Sequence, residues 1–439
     1  MTIMRLYAWS PRTGHAAGSD RFIRSVLFLA TFFVVWLTAH PFPDLSQAET
    51  FSSATGGDVI GQILGVLLTA ALALFAIPNR MRFLRQAITP TLILIILWFG
   101  LSAALSLHPA LAARRVVLAI FVIIQATVFL LLPHDRTHFA RLLAVGSLAI
   151  LLLCYAGVVF APELSIHQST DFAEPQLAGD WRGFFTHKNG AGAGMAILII
   201  LGLYVYRVLN ALLGSLIIAA AAAFLVFTDS KSPMILLPLT LLASAVLVRL
   251  RNPAAKFVTA VSVPAIIGLC TIGPFAFPAE KTLLNQVMSD PSFTGRTDIW
   301  QFTLEHIAQH PLVGFGYQAF WGTSELVNSW TYLQSWGYRA SDAHNGFLNI
   351  AVMTGLVGLV LTIGWIFVQP LIDENRTAAG HVDPALHLMF VQIWLFCLYL
   401  SGFESIFFSN GSALWFMAAV SIIALRLQAT TDCVVAQPS

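Results

Sequence analysis

The sequence predicts an all-α polytopic membrane protein of about 12 transmembrane helices with a large folded extracytoplasmic loop. Three observations predict it. Of 439 residues, 57% are hydrophobic and only 10% charged, whereas globular chains are about half apolar and about a quarter charged. The apolar residues fall in blocks of roughly 18 to 23, the length a helix needs to cross a lipid core. Threading those blocks back and forth through a membrane also sorts the charges by side. This composition argues against a water-soluble enzyme of this size, and no dense basic patch points to nucleic acid.

The spans are read at 22–39, 58–77, 88–107, 114–132, 139–161, 189–206, 211–228, 232–248, 257–277, 345–368, 386–402 and 410–427. The first follows a basic start (Arg12, Arg21, Arg24) and runs into Thr38-Ala39-His40-Pro41, a poor cleavage site, so it reads as a retained anchor. The chain divides into a membrane bundle of nine spans (1–277), an extracytoplasmic, periplasmic loop (278–343), spans ten to twelve (344–427) and a cytoplasmic tail (428–439). With the amino terminus placed inside, the inner segments hold 15 basic and 6 acidic residues, net +9, and the outer ones 8 and 15, net −7. Excess Lys and Arg inside is the orientation signal, so both termini are expected in the cytoplasm and the protein in a bacterial inner membrane. Cys154, Cys270 and Cys397 lie in apolar blocks and Cys433 in the tail, with no disulfide framework or CxxC metal site.

Two outer segments are long. The first runs from Pro162 to Lys188, and the second, Pro278 to Ala343, has roughly 66 residues and is too rich in Trp, Phe and Tyr to be disordered. In it Ile299, Trp300, Thr303, Leu304 and Ile307 recur at helical spacing, and Pro311 ends the pattern. A helix lying near the membrane surface is expected there.

Three polar constellations sit on the outer side. Trp181-Arg182-Gly183-Phe184-Phe185-Thr186-His187-Lys188-Asn189-Gly190 sets two cations before a glycine-led span, with Asn189 as the expected N-cap. Free N–H groups at such a helix start suit a phosphate; the plainer reading is contact with lipid headgroups and close helix packing. Arg296, in Thr294-Gly295-Arg296-Thr297-Asp298, opens the surface helix, where a cation is disfavoured by the dipole and needs an acidic partner. That partner is either a local carboxylate such as Asp298 or a phosphate clamped by the guanidinium. In Ser341-Asp342-Ala343-His344-Asn345-Gly346-Phe347, His344 is a candidate general base oriented by Asp342 or another acid, while Asn345 also reads simply as a helix cap. His187, His306, His310, His381 and His387 read as structural, and Gly314 and Gly316 as turn residues, since neither GxGxxG nor Walker spacing is present. Neither a DxD metal motif nor HExxH occurs.

Together these residues resemble the O-antigen ligase and Wzy polymerase superfamily. Its signature of an arginine, an amphipathic helix, HPLxGxG, a long loop, HNxxL and a Gly-rich apolar span is matched from Arg296 to Gly358. His310-Pro311-Leu312-Val313-Gly314-Phe315-Gly316 and His344-Asn345-Gly346-Phe347-Leu348 carry most of it. Phe185-Thr186-His187-Lys188-Asn189 resembles the ExoQ-like exopolysaccharide polymerase branch. The resemblance implies a twelve-helix, GT-C-like glycosyltransferase that uses undecaprenyl-pyrophosphate-linked oligosaccharide on the outer face without metal or other cofactor. It carries pyrophosphate binding to Arg182 and Arg296, joined by Lys188, and the base to His344, with Asp342 and Asn345 in support. A chain-length co-polymerase and a flippase are the partners it implies. An O-antigen ligase would share this chemistry but transfer to lipid A core or protein. A twelve-span transporter would show matched halves and mid-membrane charges, and a scaffold would need no Arg and His on one face. Trp181, Phe184, Trp321, Trp330, Trp336 and Tyr338 are read chiefly as an interfacial belt rather than as sugar-stacking surfaces.

Overall fold

A computed structural model describes residues 14–37, 41–46, 59–277, 286, 293, 295–323, 340–377 and 382–430. Among these the regular structure is helical, apart from one isolated bridge between Ile166 and Trp181. Helices occupy all twelve expected positions. They are α1 (Gly14–Trp36), α2 (Val59–Ala87), α3 (Pro90–Ala104), α4 (Pro109–Leu131), α5 (Arg136–Phe160), α6 (Lys188–Val208), α7 (Ala211–Phe227), α8 (Lys231–Leu247) and α9 (Pro253–Thr271). The surface helix follows as α10 (Arg296–Gln309), then α11 (Gly346–Ile363), α12 (Pro384–Leu400) and α13 (Ala413–Thr430). Six of the twelve, α4, α5, α6, α9, α11 and α13, are long and apolar enough to cross a bilayer, counting the turns that extend α9 and α11. α2 makes a seventh if Ile60–Ala76 and Met81–Ala87, bent by 118° where the sequence holds Pro78, form one span. α3, α7, α8 and α12 are apolar but shorter. The chain is an all-α, multi-pass membrane protein. The expected tail from 431 onward, His381, and Trp330, Trp336 and Tyr338 of the long loop lie outside the described residues.

Polar contacts fall into two sets that follow the alternation of loops. At one end Arg24 pairs with Asp20 (2.7 Å), Arg136 with Asp383 (2.7 Å), Lys256 with Glu374 (3.1 Å) and Arg426 with Asp373 (3.0 Å). Lys256 and Glu374 are almost wholly buried, and His387 also faces Glu374 (2.7 Å), so removing Glu374 would leave the Lys256 charge uncompensated. Contacts at the other end join the loops that carry Pro43, Arg182, Asp229, Glu404 and Asn410 to one another and to Arg115 of α4 and Arg296 at the start of the surface helix.

α11 is broken near its middle. Gly355 has φ 70° and ψ 179°, a conformation that only glycine adopts readily. Carbonyls released by the break need donors, because lipid offers none. The 310–316 segment supplies them: Phe315 N–H donates to Val352 O (3.0 Å), Gly316 N–H to Met353 O (2.9 Å), and in return Leu356 N–H donates to Pro311 O (2.8 Å). Trp98 of α3 adds a bond from Nε1 to Thr354 O (2.8 Å), and Ser102 Oγ donates to Val313 O and Met353 O (2.9 and 3.0 Å). A Cβ on Gly355 would stand 2.0 Å from Leu312 O, and one on Gly314 would stand 2.5 Å from the Met353 carbonyl carbon. Of the glycines expected to be turn residues, Gly314 is therefore needed for backbone-to-backbone approach as well.

Gly355→Ala is expected to cost at least about 2 kcal/mol, read as less protein in the membrane fraction and a lower midpoint in a detergent thermal scan. Wild-type amount and midpoint would refute the clamp.

Candidate functional site

The short loop 401–412 between α12 and α13 carries one acid, Glu404, only 19% exposed. Its Oε1 accepts from Arg296 Nη2 (2.9 Å) and from Asn189 Nδ2 (3.0 Å), and its Oε2 lies 3.5 Å from His344 Nδ1. Three residues from three distant stretches thus converge on one carboxylate. Burial by itself would raise the pKa of Glu404, but Arg296 and then His344 hold it down at about 2.

Each partner is set by local folding. Arg296 is the first residue of α10, after Gly295 in the left-handed region, and its Nη1 also donates to Phe403 O (2.7 Å). The acidic partner expected for this cation is Glu404, 108 residues away, rather than Asp298. At the start of α11, Asn345 accepts from Phe347 N–H and Leu348 N–H (both 3.1 Å), which caps the helix. Its Nδ2 donates to Gly402 O (3.1 Å), and Gly346 N–H donates to Ser401 O (2.7 Å), so α11 is fastened to the loop that bears Glu404. His344 stands at φ 45°, a strained left-handed position for a non-glycine residue. Asp342 Oδ1 accepts from its backbone N–H (2.7 Å), so Asp342 shapes the turn while Glu404 faces the ring. Burial works to lower the His344 pKa, but Asp342 and then Glu404 outweigh it, and the imidazole titrates above its ordinary value.

The 162–187 loop packs beside this cluster. Arg182 is fully buried; its guanidinium donates to Phe185 O (3.2 Å) and Pro43 O (2.8 Å), and its backbone N–H to Ser165 O (2.9 Å). Lys188 Nζ pairs with Asp180 (2.7 Å) and reaches Asp229 O (3.3 Å). His187 takes the N-cap of α6: Nδ1 accepts from Asn189 N–H (3.1 Å) and Nε2 faces Glu174 Oε2 (2.9 Å). This corrects the expected cap, because Asn189 is drawn away by Glu404 and by Ser230 Oγ, which donates to its Oδ1 (3.2 Å). The buried pair His167–Asp171 (2.8 Å) lies against His187, the rings 5.4 Å apart.

The structure therefore brings together Arg296, His344 and the Asp342–Asn345 turn. Arg182 lies in the adjoining loop and Lys188 at the start of α6 just after it, Arg182 turned into backbone carbonyls and Lys188 on a carboxylate. Glu404 and Asn189 Nδ2 were not foreseen as site groups; the one signal for Glu404 is a single acid in a short apolar loop on the side that carries the cations. Trp181 stacks on Phe227 (4.4 Å), Phe184 on Phe185 (4.2 Å), and Trp321 Nε1 donates to Asn349 Oδ1 (2.7 Å). Phe184 is buried in the core, and the half-buried Trp181 and Trp321 pack against it.

Helices and site together define a multi-pass helical membrane protein with a closed cluster of Arg, His and Glu at one end. Residues 215–363 match the family described as O-Antigen ligase. The matched stretch includes Arg296, the 310–316 segment and His344, and stops before Glu404. The chain is also 31% identical over 112 residues to the exopolysaccharide production protein ExoQ of Rhizobium meliloti (strain 1021), an alignment that covers 25% of this chain and 26% of that relative. The resemblance to the O-antigen ligase family is thus shown over residues 215–363, and the similarity to an ExoQ protein over 112 residues.

Asn345→Ala removes both a helix cap and the tie to Gly402. It is expected to destabilise the protein by roughly 1–2 kcal/mol, measured as a lower thermal midpoint in detergent; an unchanged midpoint would show that the cap is not structural.

Proposed function

We propose that the chain is a GT-C-type membrane glycosyltransferase that lengthens a surface polysaccharide or exopolysaccharide. The donor is an undecaprenyl-pyrophosphate-linked oligosaccharide and the acceptor a sugar hydroxyl on the periplasmic face of the inner membrane. The observation that carries this reading is the convergence of Arg296 and His344, from the two halves of the matched signature, on one small cluster. The match to O-Antigen ligase and the similarity to an exopolysaccharide production protein support the reaction class.

In this reading the acceptor oxygen attacks the anomeric carbon while its proton passes to the His344 imidazole. The bond from the anomeric carbon to the phosphate oxygen breaks, its electron pair stays on the pyrophosphate, and the anomeric centre inverts. Arg296 stabilises the developing charge as a preorganised cation outside the lipid core. Lys188 adds a second cation once a phosphate competes with Asp180. Arg182 fastens the loop that leads into Lys188. General-base help is worth roughly 10² to 10⁴ in rate. The donor is already activated as a lipid pyrophosphate, so the scheme uses neither metal nor cofactor. A chain-length co-polymerase and a flippase would work beside it.

A deletion strain complemented with Arg296→Ala or His344→Ala, each verified in the membrane fraction, is expected to accumulate single repeats and lose long glycan, by at least about a hundredfold. Long polymer at wild-type levels in both would remove the site. Intact polymer left on its lipid carrier in the deletion strain would indicate the ligase instead. For orientation, a cysteine at the exposed position Ser341 is expected to react with an impermeant maleimide on intact spheroplasts. Labelling only after permeabilisation would place the cluster in the cytoplasm.

A further inference from the structure

Glu404 faces both Arg296 and His344, to which the transfer reading gives chemical roles, yet it has none itself. We propose that Glu404 is the positioning residue of the site, holding His344 with Nδ1 toward its own carboxylate so that Nε2 is the proton acceptor, and aiming the Arg296 guanidinium beside it. This rests on the reading of the cluster as a glycosyl-transfer site.

The two carboxylate oxygens are divided between the two roles. Oε1 is taken by Arg296 and Asn189, and Oε2 faces the imidazole at 3.5 Å. A neutral imidazole has one N–H and one lone pair, so an N–H at Nδ1 directed to Glu404 leaves the lone pair at Nε2. Bonds of this kind shorten when substrate closes the site. The neighbouring acid Asp342 acts on the ring through its charge, while its Oδ1 accepts from the His344 backbone N–H. The loop is also held against movement: Ser401 O, Gly402 O and Phe403 O accept from Gly346, Asn345 and Arg296 respectively. The backbone of the carboxylate's loop is therefore tied to the cation's side chain and to the two residues that follow the base, the arrangement of a base oriented by a third group.

When the acceptor hydroxyl gives its proton to Nε2, the imidazolium keeps its Nδ1 proton facing an ionised Glu404, which takes no proton itself. The new bond joins the acceptor oxygen to the anomeric carbon, and the departing electron pair stays on the pyrophosphate beside Arg296. The groups that face His344 are Asp342 from its own turn, Glu404 from the 401–412 loop, Arg296 from α10 and Glu174 from the 162–187 loop; His187 acts on both carboxylates. Because the working form of His344 is neutral, the rate rises with pH through its titration. Removing one anionic neighbour moves that rise to lower pH.

The test uses membranes of a deletion strain carrying each variant, with the endogenous lipid-linked oligosaccharide labelled by a tritiated sugar as the probe. The initial rate of forming glycan longer than one repeat is followed against pH. Glu404→Gln is expected to lower the maximal rate on the order of tenfold to a hundredfold and to shift the acid limb about one unit toward lower pH. Glu404→Asp keeps the charge but shortens the reach, so its limb is expected at the wild-type pH with a reduced rate. An acid limb at the wild-type pH in Glu404→Gln overturns the proposal, because loss of structure alone lowers a rate without moving a titration. Should Glu404→Gln be missing from the membrane, Glu404→Asp is read alone, and a wild-type rate overturns the proposal. His344→Ala in the same series separates the two levels. An inactive His344→Ala beside an unshifted Glu404→Gln removes only the positioning role, whereas a fully active His344→Ala removes the transfer reading itself.

Discussion

A peptide carbonyl released inside a bilayer must find a donor within the protein, and this constraint fixes the geometry on which the candidate site depends. α11 is broken at Gly355, and the 310–316 segment answers the break with its own backbone, bonded to Val352 O, Met353 O and Leu356 N–H. That segment directly follows α10, whose first residue is Arg296, while α11 itself begins two residues after His344. One backbone clamp therefore links the elements that present the cation and the imidazole. The loop 401–412 completes the frame, because Ser401 O and Gly402 O receive the start of α11 and Phe403 O receives Arg296.

The burial of charge around this frame has a consistent logic. Arg296 is matched by Glu404, Lys188 by Asp180, and His187 by Glu174. Unpaired, each would carry a desolvation cost well above what an exposed residue bears. Arg182 follows a different course: fully buried, it gives its guanidinium to the carbonyls of Phe185 and Pro43 and so joins two loops of the same end. Asp171 and Asp44 act on its charge from the same loops. Arg182 is therefore a fastening group and not free to grip a ligand.

Patterns that repeat at short range were legible in the sequence, and pairings between distant stretches were not. Blocks of apolar residues located twelve helices, and the spacing from Ile299 to Ile307 located α10 with its end before Pro311. Asn345 was readable as a cap because the capping bond spans only two or three residues. Asn189 misled for a physical reason: His187, two residues earlier, caps α6 with a ring nitrogen, and tertiary bonds to Glu404 and Ser230 claim the amide. Glu404 was invisible as a site residue because a single acid in a loop has no periodicity, and its partners lie 215, 108 and 60 positions away. Gly314 and Gly316 were recognisable as turn residues, but that they meet a helix broken at Gly355 emerges only when the two chain segments are seen together.

The electrostatics of the cluster set a direction for what happens when an anion arrives. Before substrate binds, the charge of Arg296 is offset by Glu404, while His344 is kept toward its protonated form by Asp342 and Glu404. A pyrophosphate entering beside Arg296 brings negative charge close to the imidazole as well, which by the same Coulombic rule favours the imidazolium. An anion on the donor therefore strengthens His344 as a proton acceptor at the moment a hydroxyl is presented, and the product imidazolium is the form the surrounding carboxylates already favour. Such coupling needs the carboxylate to stay ionised throughout, and Glu404, held at about 2, does so at any physiological pH. The strained backbone at His344 fits the same account. A residue kept at φ 45° by Asp342 and by the cap at Asn345 has its ring direction decided by the protein before substrate binds.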